Sequence, residues 1–181
     1  MRRPSLAIVT TALAVAFTVA LSAQQTTQVH PGKGGSPHVR SEWTVGGAKI
    51  AIEYGRPYLK GRAVGKDVAP FGKEWRTGAD EATTLISDKP LKFGTLTVPA
   101  GTHTLYTRPG ETEWQLIVSN KTGQWGIPYP AGEDLGRVPM EVSTAGAPVE
   151  QLTIAIEGKG AGGVLRVTWG TTSASVPFTV G

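Results

Sequence analysis

What most constrains this chain is a two-residue alternation of apolar and polar side chains that returns, segment after segment, between turn residues. Ile50, Ile52 and Tyr54 alternate with Ala51, Glu53 and Gly55, and Trp114, Leu116 and Val118 with Gln115, Ile117 and Ser119. Leu152, Ile154 and Ile156 follow the same rule, as do Leu165, Val167 and Trp169, and Val176, Phe178 and Val180. A period of two places side chains of one parity on one face of a strand, so each segment reads as half-buried. Gly46-Gly47, Val98-Pro99-Ala100-Gly101, Arg108-Pro109-Gly110 and the Gly-rich run from Gly158 to Gly163 supply turns between them. No window after the first 23 residues carries the i, i+3, i+4 spacing of a helix. The expected fold is all-β: a single antiparallel β-sandwich or jelly-roll-like barrel, with about nine or ten strands in two packed sheets.

The first residues look different. Arg2 and Arg3 precede an apolar run from Leu6 to Leu21, and Leu21-Ser22-Ala23 offers small residues for cleavage. This is the layout of an export signal over residues 1–23. The run is shorter than the ~20 residues that span a bilayer comfortably, so no membrane span is expected after cleavage. Residues 24–37, polar and rich in Gly and Pro, read as a flexible tether, and 38–181 as the β domain. The expected location is the periplasm or the exterior.

Without Arg2 and Arg3, the 18 basic residues of the chain fall to 16, against 14 acidic ones. That balance lacks the basic excess of a nucleic-acid binder, and no such partner is expected. The chain contains no Cys, which excludes disulfides, thiolate metal sites and Cys nucleophiles.

Several chemistries fail on spacing. His30 and His38 fall in or beside the tether, leaving His103 alone in the body of the domain, with no ligand spacing around it. No metal and no cofactor is therefore assigned. A serine hydrolase would also depend on His103, and no G-x-S-x-G is present. Gly158, Gly160 and Gly163 formally satisfy G-x-G-x-x-G, but the segment that follows alternates like a strand, whereas pyrophosphate binding needs a helix there. Asp80 and Glu81 are adjacent, and neighbours on a strand point to opposite faces, which disfavours paired-carboxylate catalysis. No catalytic residue is nominated, and a hydrolase is the least supported class.

Charge is more informative. Arg56, Lys60, Arg62, Lys66, Lys73 and Arg76 cluster with only Asp67 and Glu74 among them, whereas from Thr77 onward seven basic residues face ten acidic ones. Arg56 continues the parity of Ile50, Ile52 and Tyr54, so its guanidinium emerges at the end of the inward face and needs a partner. Glu81 shares parity with Thr83 and Leu85 and is the first choice. Trp75 and Trp125 sit in loop-like contexts and could stack on a sugar, whereas Trp114 belongs to the core by parity. The candidate ligand-binding set is Arg56, Arg76, Glu81, Trp75 and Trp125, for an anionic or saccharide ligand of the cell envelope. The competing reading makes the same charges an internal Arg–carboxylate network of a structural or interaction protein. Nothing in the sequence fixes the oligomeric state.

The blocks YGRPYLKGR (Tyr54 to Arg62), PFGKEWRTGADEAT (Pro70 to Thr83), VPAGTHTLYTRPG (Val98 to Gly110) and TGQWG (Thr122 to Gly126) occur in order along the domain. Together they resemble the bacterial exported family known as domain of unknown function 2911, over about residues 37 to 180. The resemblance implies an exported all-β domain and carries over no catalytic residue. Arg56, Arg76, Gly78 and Glu81 fit the family pattern. Asp80 stands where that pattern has Asn, and His103 where it has an aromatic residue, which argues against an obligatory catalytic role for either.

Overall fold

The structure, a computed structural model, describes residues 24–181. The segment read as an export signal lies outside the described residues. Ten strands form: β1 (Gln25–His30), β2 (His38–Val45), β3 (Ala48–Gly55), β4 (Ala79–Ser87), β5 (Leu91–Phe93), β6 (Leu96–Val98), β7 (Gly101–Arg108), β8 (Glu113–Ser119), β9 (Asp134–Lys159) and β10 (Gly162–Val180). No helix forms among the described residues. Every pairing is antiparallel, and the lateral order is β1-β2-β3-β4-β7-β8-β9-β10-β5-β6.

The expected class is therefore met, with one difference in construction. The sequence suggested two sheets; the chain builds one sheet that does not close into a barrel and instead doubles over on itself. The long β9–β10 hairpin makes this happen. Its register slips on either side of Gly170, which lies at φ +60°. Such bulges bend a strand and sharpen its twist, letting one hairpin serve both layers. Beyond the bend, β9 passes across β3: the Ile154 amide donates to the Tyr54 hydroxyl at 2.9 Å, linking positions a hundred residues apart.

The core fills the space between the layers, as the alternation anticipates. Ile50, Ile52 and Tyr54 of β3 meet Trp114, Leu116 and Val118 of β8, Leu152, Ile154 and Ile156 of β9, and Leu165, Val167 and Trp169 of β10. At about 25 cal/mol per Å² of apolar surface removed from water, burial on this scale holds a Cys-free domain together. A smaller apolar group, Ala82, Tyr106 and Ile117 with Tyr129 against it, lies under the 120–133 loop.

One segment departs from its expected form. Gln25–His30, within the stretch read as a tether, pairs with β2 from Gln25↔Glu42 to His30↔His38. It is an edge strand held by backbone hydrogen bonds with no apolar face of its own.

Candidate functional site

At one end of the sheet the pairing lines up four strands: His30 opposite His38, His38 opposite Gly55, and Gly55 opposite Ala79. On β2 the odd residues Val39, Trp43 and Val45 enter the core, so His38 belongs to the outer face. Gly55 keeps this rung open. A Cβ there would sit 2.2 Å from the Ala79 carbonyl oxygen, so no side chain stands between His38 and the next strand.

Beyond Gly55, β4 leaves the regular ladder. Thr84 pairs with Glu53 and Ala79 with Gly55, so the four residues 80–83 are accommodated opposite Tyr54 alone. Asp80 takes a left-handed conformation at φ +63°, as does Thr77 at φ +57°. Strand parity fails across this excursion, and Glu81 turns outward. Its side chain is 49% exposed and approaches both histidines, with Oε2 3.5 Å from His30 Nε2 and 3.5 Å from His38 Nδ1. The two imidazoles stack with centroids 4.6 Å apart. His38 is buried, and its Nδ1 has no hydrogen-bond partner. Burial, then the neighbouring His30, push the His38 pKa below its usual value, against the opposing pull of Glu81.

The loop between β1 and β2 closes over the corner. The Lys33 amide donates to Asp80 Oδ2 at 2.8 Å, and the Gly32 amide to His30 Nδ1 at 3.1 Å. From the other side comes the 120–133 loop, whose Gly126, at φ +88°, lies so near β4 that a Cβ would meet the Ala82 Cβ at 2.8 Å and the Arg76 Cβ at 3.1 Å. This approach brings Trp125 beside Arg76. Arg76 Nη1 donates to the Trp125 carbonyl at 3.0 Å, and its guanidinium lies 5.1 Å from the indole centroid. Lys33 Nζ lies 5.0 Å from the same ring. Neither cation forms a salt bridge among the described residues. Burial pushes the Arg76 pKa down, against the pull of Asp80 and Glu81.

Of the five residues nominated from sequence, Arg76, Glu81 and Trp125 converge on this corner; Arg56 and Trp75 do not. The expected Arg56–Glu81 pair is absent. Arg56 instead donates to the Leu152 carbonyl at 3.0 Å and to Thr153 Oγ1 at 2.9 Å, tying the end of β3 to β9. Glu81→Ala would orphan no Arg56. Trp75 is no exposed platform: it stacks on Trp169 at 5.7 Å and meets Trp114 edge-on at 6.3 Å, while its backbone bridges to Thr107. His103 places Nε2 3.0 Å from the Pro99 carbonyl oxygen, apart from the corner residues in sequence and pairing. Spacing missed His30 and His38, because the sheet rung brings them together and the break in β4 pairing after Ala79 turns Glu81 toward them.

Two other features involve none of the corner residues. On the outer face of β2, β3 and β4 lies a cleft of about 470 Å³, lined by Arg40, Glu42, Lys49 and Ile86 among others and by none of the five nominated residues. Elsewhere Arg137 joins Glu74 at 3.0 Å and Asp134 at 2.8 Å, and donates to the Tyr129 hydroxyl at 3.0 Å; Tyr129 in turn donates to Asp134. Burial, then the Asp134 contact, raise the Tyr129 pKa far above its usual value.

By fold and surface, this is an all-β domain with a charged, aromatic-capped corner at one end of a doubled sheet. The chain matches the family described as Protein of unknown function (DUF2911) over residues 36–178 and belongs to that family. No curated protein and no solved structure matches it.

Proposed function

We propose that this protein is an exported binding domain of the cell envelope, and that it takes an anionic ligand at the corner formed by Lys33, Arg76 and Trp125. One observation carries the reading: two cations lie over an exposed indole and neither is paired with a carboxylate. Guanidinium and ammonium groups left in this way offer charge-assisted hydrogen bonds to carboxylate or phosphate oxygens. The same geometry favours an anion over a neutral sugar. With Arg76 and Lys33 already over the ring, a saccharide stacking on Trp125 would have to displace a cation–π contact of about 0.5–1 kcal/mol.

The test is a thermal-shift and calorimetric comparison in EDTA, with inorganic phosphate, citrate, a uronic-acid oligosaccharide and a neutral oligosaccharide. Anionic members should raise the melting temperature, and the Lys33→Gln/Arg76→Gln double variant should weaken that binding about tenfold or more, in line with losing charged hydrogen bonds. Response to the neutral sugar alone, or undiminished binding by the double variant, sinks the reading. A second reading, a structural or interaction domain, is favoured by the Arg137–Glu74–Asp134 and Arg40–Glu42–Glu53 groups, in which cations are satisfied internally. It predicts no shift with any member of the panel.

A further inference from the structure

We propose that His30, His38 and Glu81 form a site for a divalent transition-metal ion, with Zn²⁺ the best match to their chemistry and spacing. Two imidazoles and a carboxylate are a borderline donor set that suits Zn²⁺ and its neighbours, whereas Mg²⁺ and Ca²⁺ prefer all-oxygen surroundings. The three donor atoms lie within 4.8 Å of one another. Both histidine nitrogens face the same carboxylate oxygen at 3.5 Å. That separation is long for an N–H···O hydrogen bond, whose usual limit is about 3.2 Å. It is close to the edge of a tetrahedron whose bonds are about 2.0–2.1 Å, roughly 3.3–3.4 Å.

A second observation points the same way. His38 Nδ1 is buried with no protein partner, on a residue only 6% exposed, and the atom it faces is Glu81 Oε2. A buried nitrogen left unpaired is costly, and a cation held between it and the carboxylate would use its lone pair. The outer side of the cluster is open, since the Glu81 side chain is 49% exposed and that of His30 is 39% exposed. Three protein ligands with one open position describe a site that can admit water or another ligand, unlike a closed structural zinc site. His30 lies on β1, before the stretch that matches the family, so one of the ligands comes from this chain's own edge strand.

The Gly32 amide sets a condition on loading. It donates to His30 Nδ1, which puts the ring proton on Nε2. A metal at Nε2 needs that proton on Nδ1 instead, so binding displaces the Gly32 amide and couples the cation to the loop between β1 and β2.

The experiment is a ZnCl₂ titration of untagged, chelator-treated protein in chloride buffer, read by calorimetry and by the Gly32 amide resonance. One Zn²⁺ per chain is expected, with no comparable signal from MgCl₂. His30→Gln and Glu81→Gln should each weaken Zn²⁺ binding at least about tenfold, as loss of a ligand requires, while melting in EDTA at the wild-type temperature. His103→Gln should bind as the wild type does. The Gly32 resonance should move on Zn²⁺ addition. Absence of a saturable site, equal affinity in both ligand variants, or a Gly32 amide that stays in place while Zn²⁺ binds overturns the proposal. No phosphate, carboxylate or sugar is present in this titration, so its outcome is independent of the Lys33–Arg76 reading.

Discussion

At the scale of single residues, the corner depends most on a side chain that is missing. Gly55 allows β3 and β4 to approach until a Cβ would overlap the Ala79 carbonyl oxygen. Its conformation lies outside the left-handed region, so the requirement is one of space rather than backbone freedom. Gly55→Ala should therefore destabilise the protein by about 1–3 kcal/mol, the range for overpacking at a site that cannot relax. Gly146→Ala, where no atom lies within 4 Å of the added methyl, is the control and should change stability by under about 0.5 kcal/mol. Urea unfolding of the two variants separates the cases, and equal stabilities would show that the β3–β4 gap can widen at little cost. Arg56 and Arg76 look alike in sequence yet diverge here: one is consumed by β9, and the other is left facing Trp125.

Among the elements, the parts legible in sequence were those with an apolar face. The alternations over Ile50–Tyr54, Trp114–Val118 and Leu152–Ile156 became β3, β8 and the latter half of β9, with the expected parity inward. β1 has no burial pattern to read, because its Gln, Thr and Val residues are all exposed, His30 at its end is only half-buried, and pairing with β2 defines it. Glu81 takes the face opposite to the one its parity predicts, because parity presumes an unbroken ladder and the left-handed Asp80 breaks it. Trp75, in a segment without alternation, pairs beside β7 through a long-range bridge to Thr107 and stacks on Trp169, neither of which local sequence signals. The bend in β9–β10 was likewise hidden, since one glycine within a strand pattern marks a bulge only after the partner register is known. Gly170→Val should cost about 1–2 kcal/mol for a branched residue held at φ +60°, beyond any crowding of its Cβ against Leu59 at 3.2 Å. Chemical denaturation measures this loss, and a variant as stable as the parent would show that the bend does not require the left-handed conformation.

For the molecule as a whole, one sheet doubled on itself leaves no boundary at which half of the domain could melt alone. Trp75, Trp114 and Trp169 meet in the core between the layers, while the strands they belong to or bridge span the sheet from β7 to β10. Tryptophan fluorescence and far-ultraviolet circular dichroism should therefore report one coincident thermal transition. Midpoints that differ between the two probes would reveal that the layers come apart separately. The exception is the outermost strand. β1 meets β2 first at Gln25↔Glu42 and last at His30↔His38, so a pull on the N-terminal end, directed away from the sheet edge, acts on one rung at a time. The strand then opens as a zipper rather than shearing as a unit. Tension reaches the stacked histidines only after every preceding rung has parted, which makes β1 a low-force fuse in front of the corner it completes.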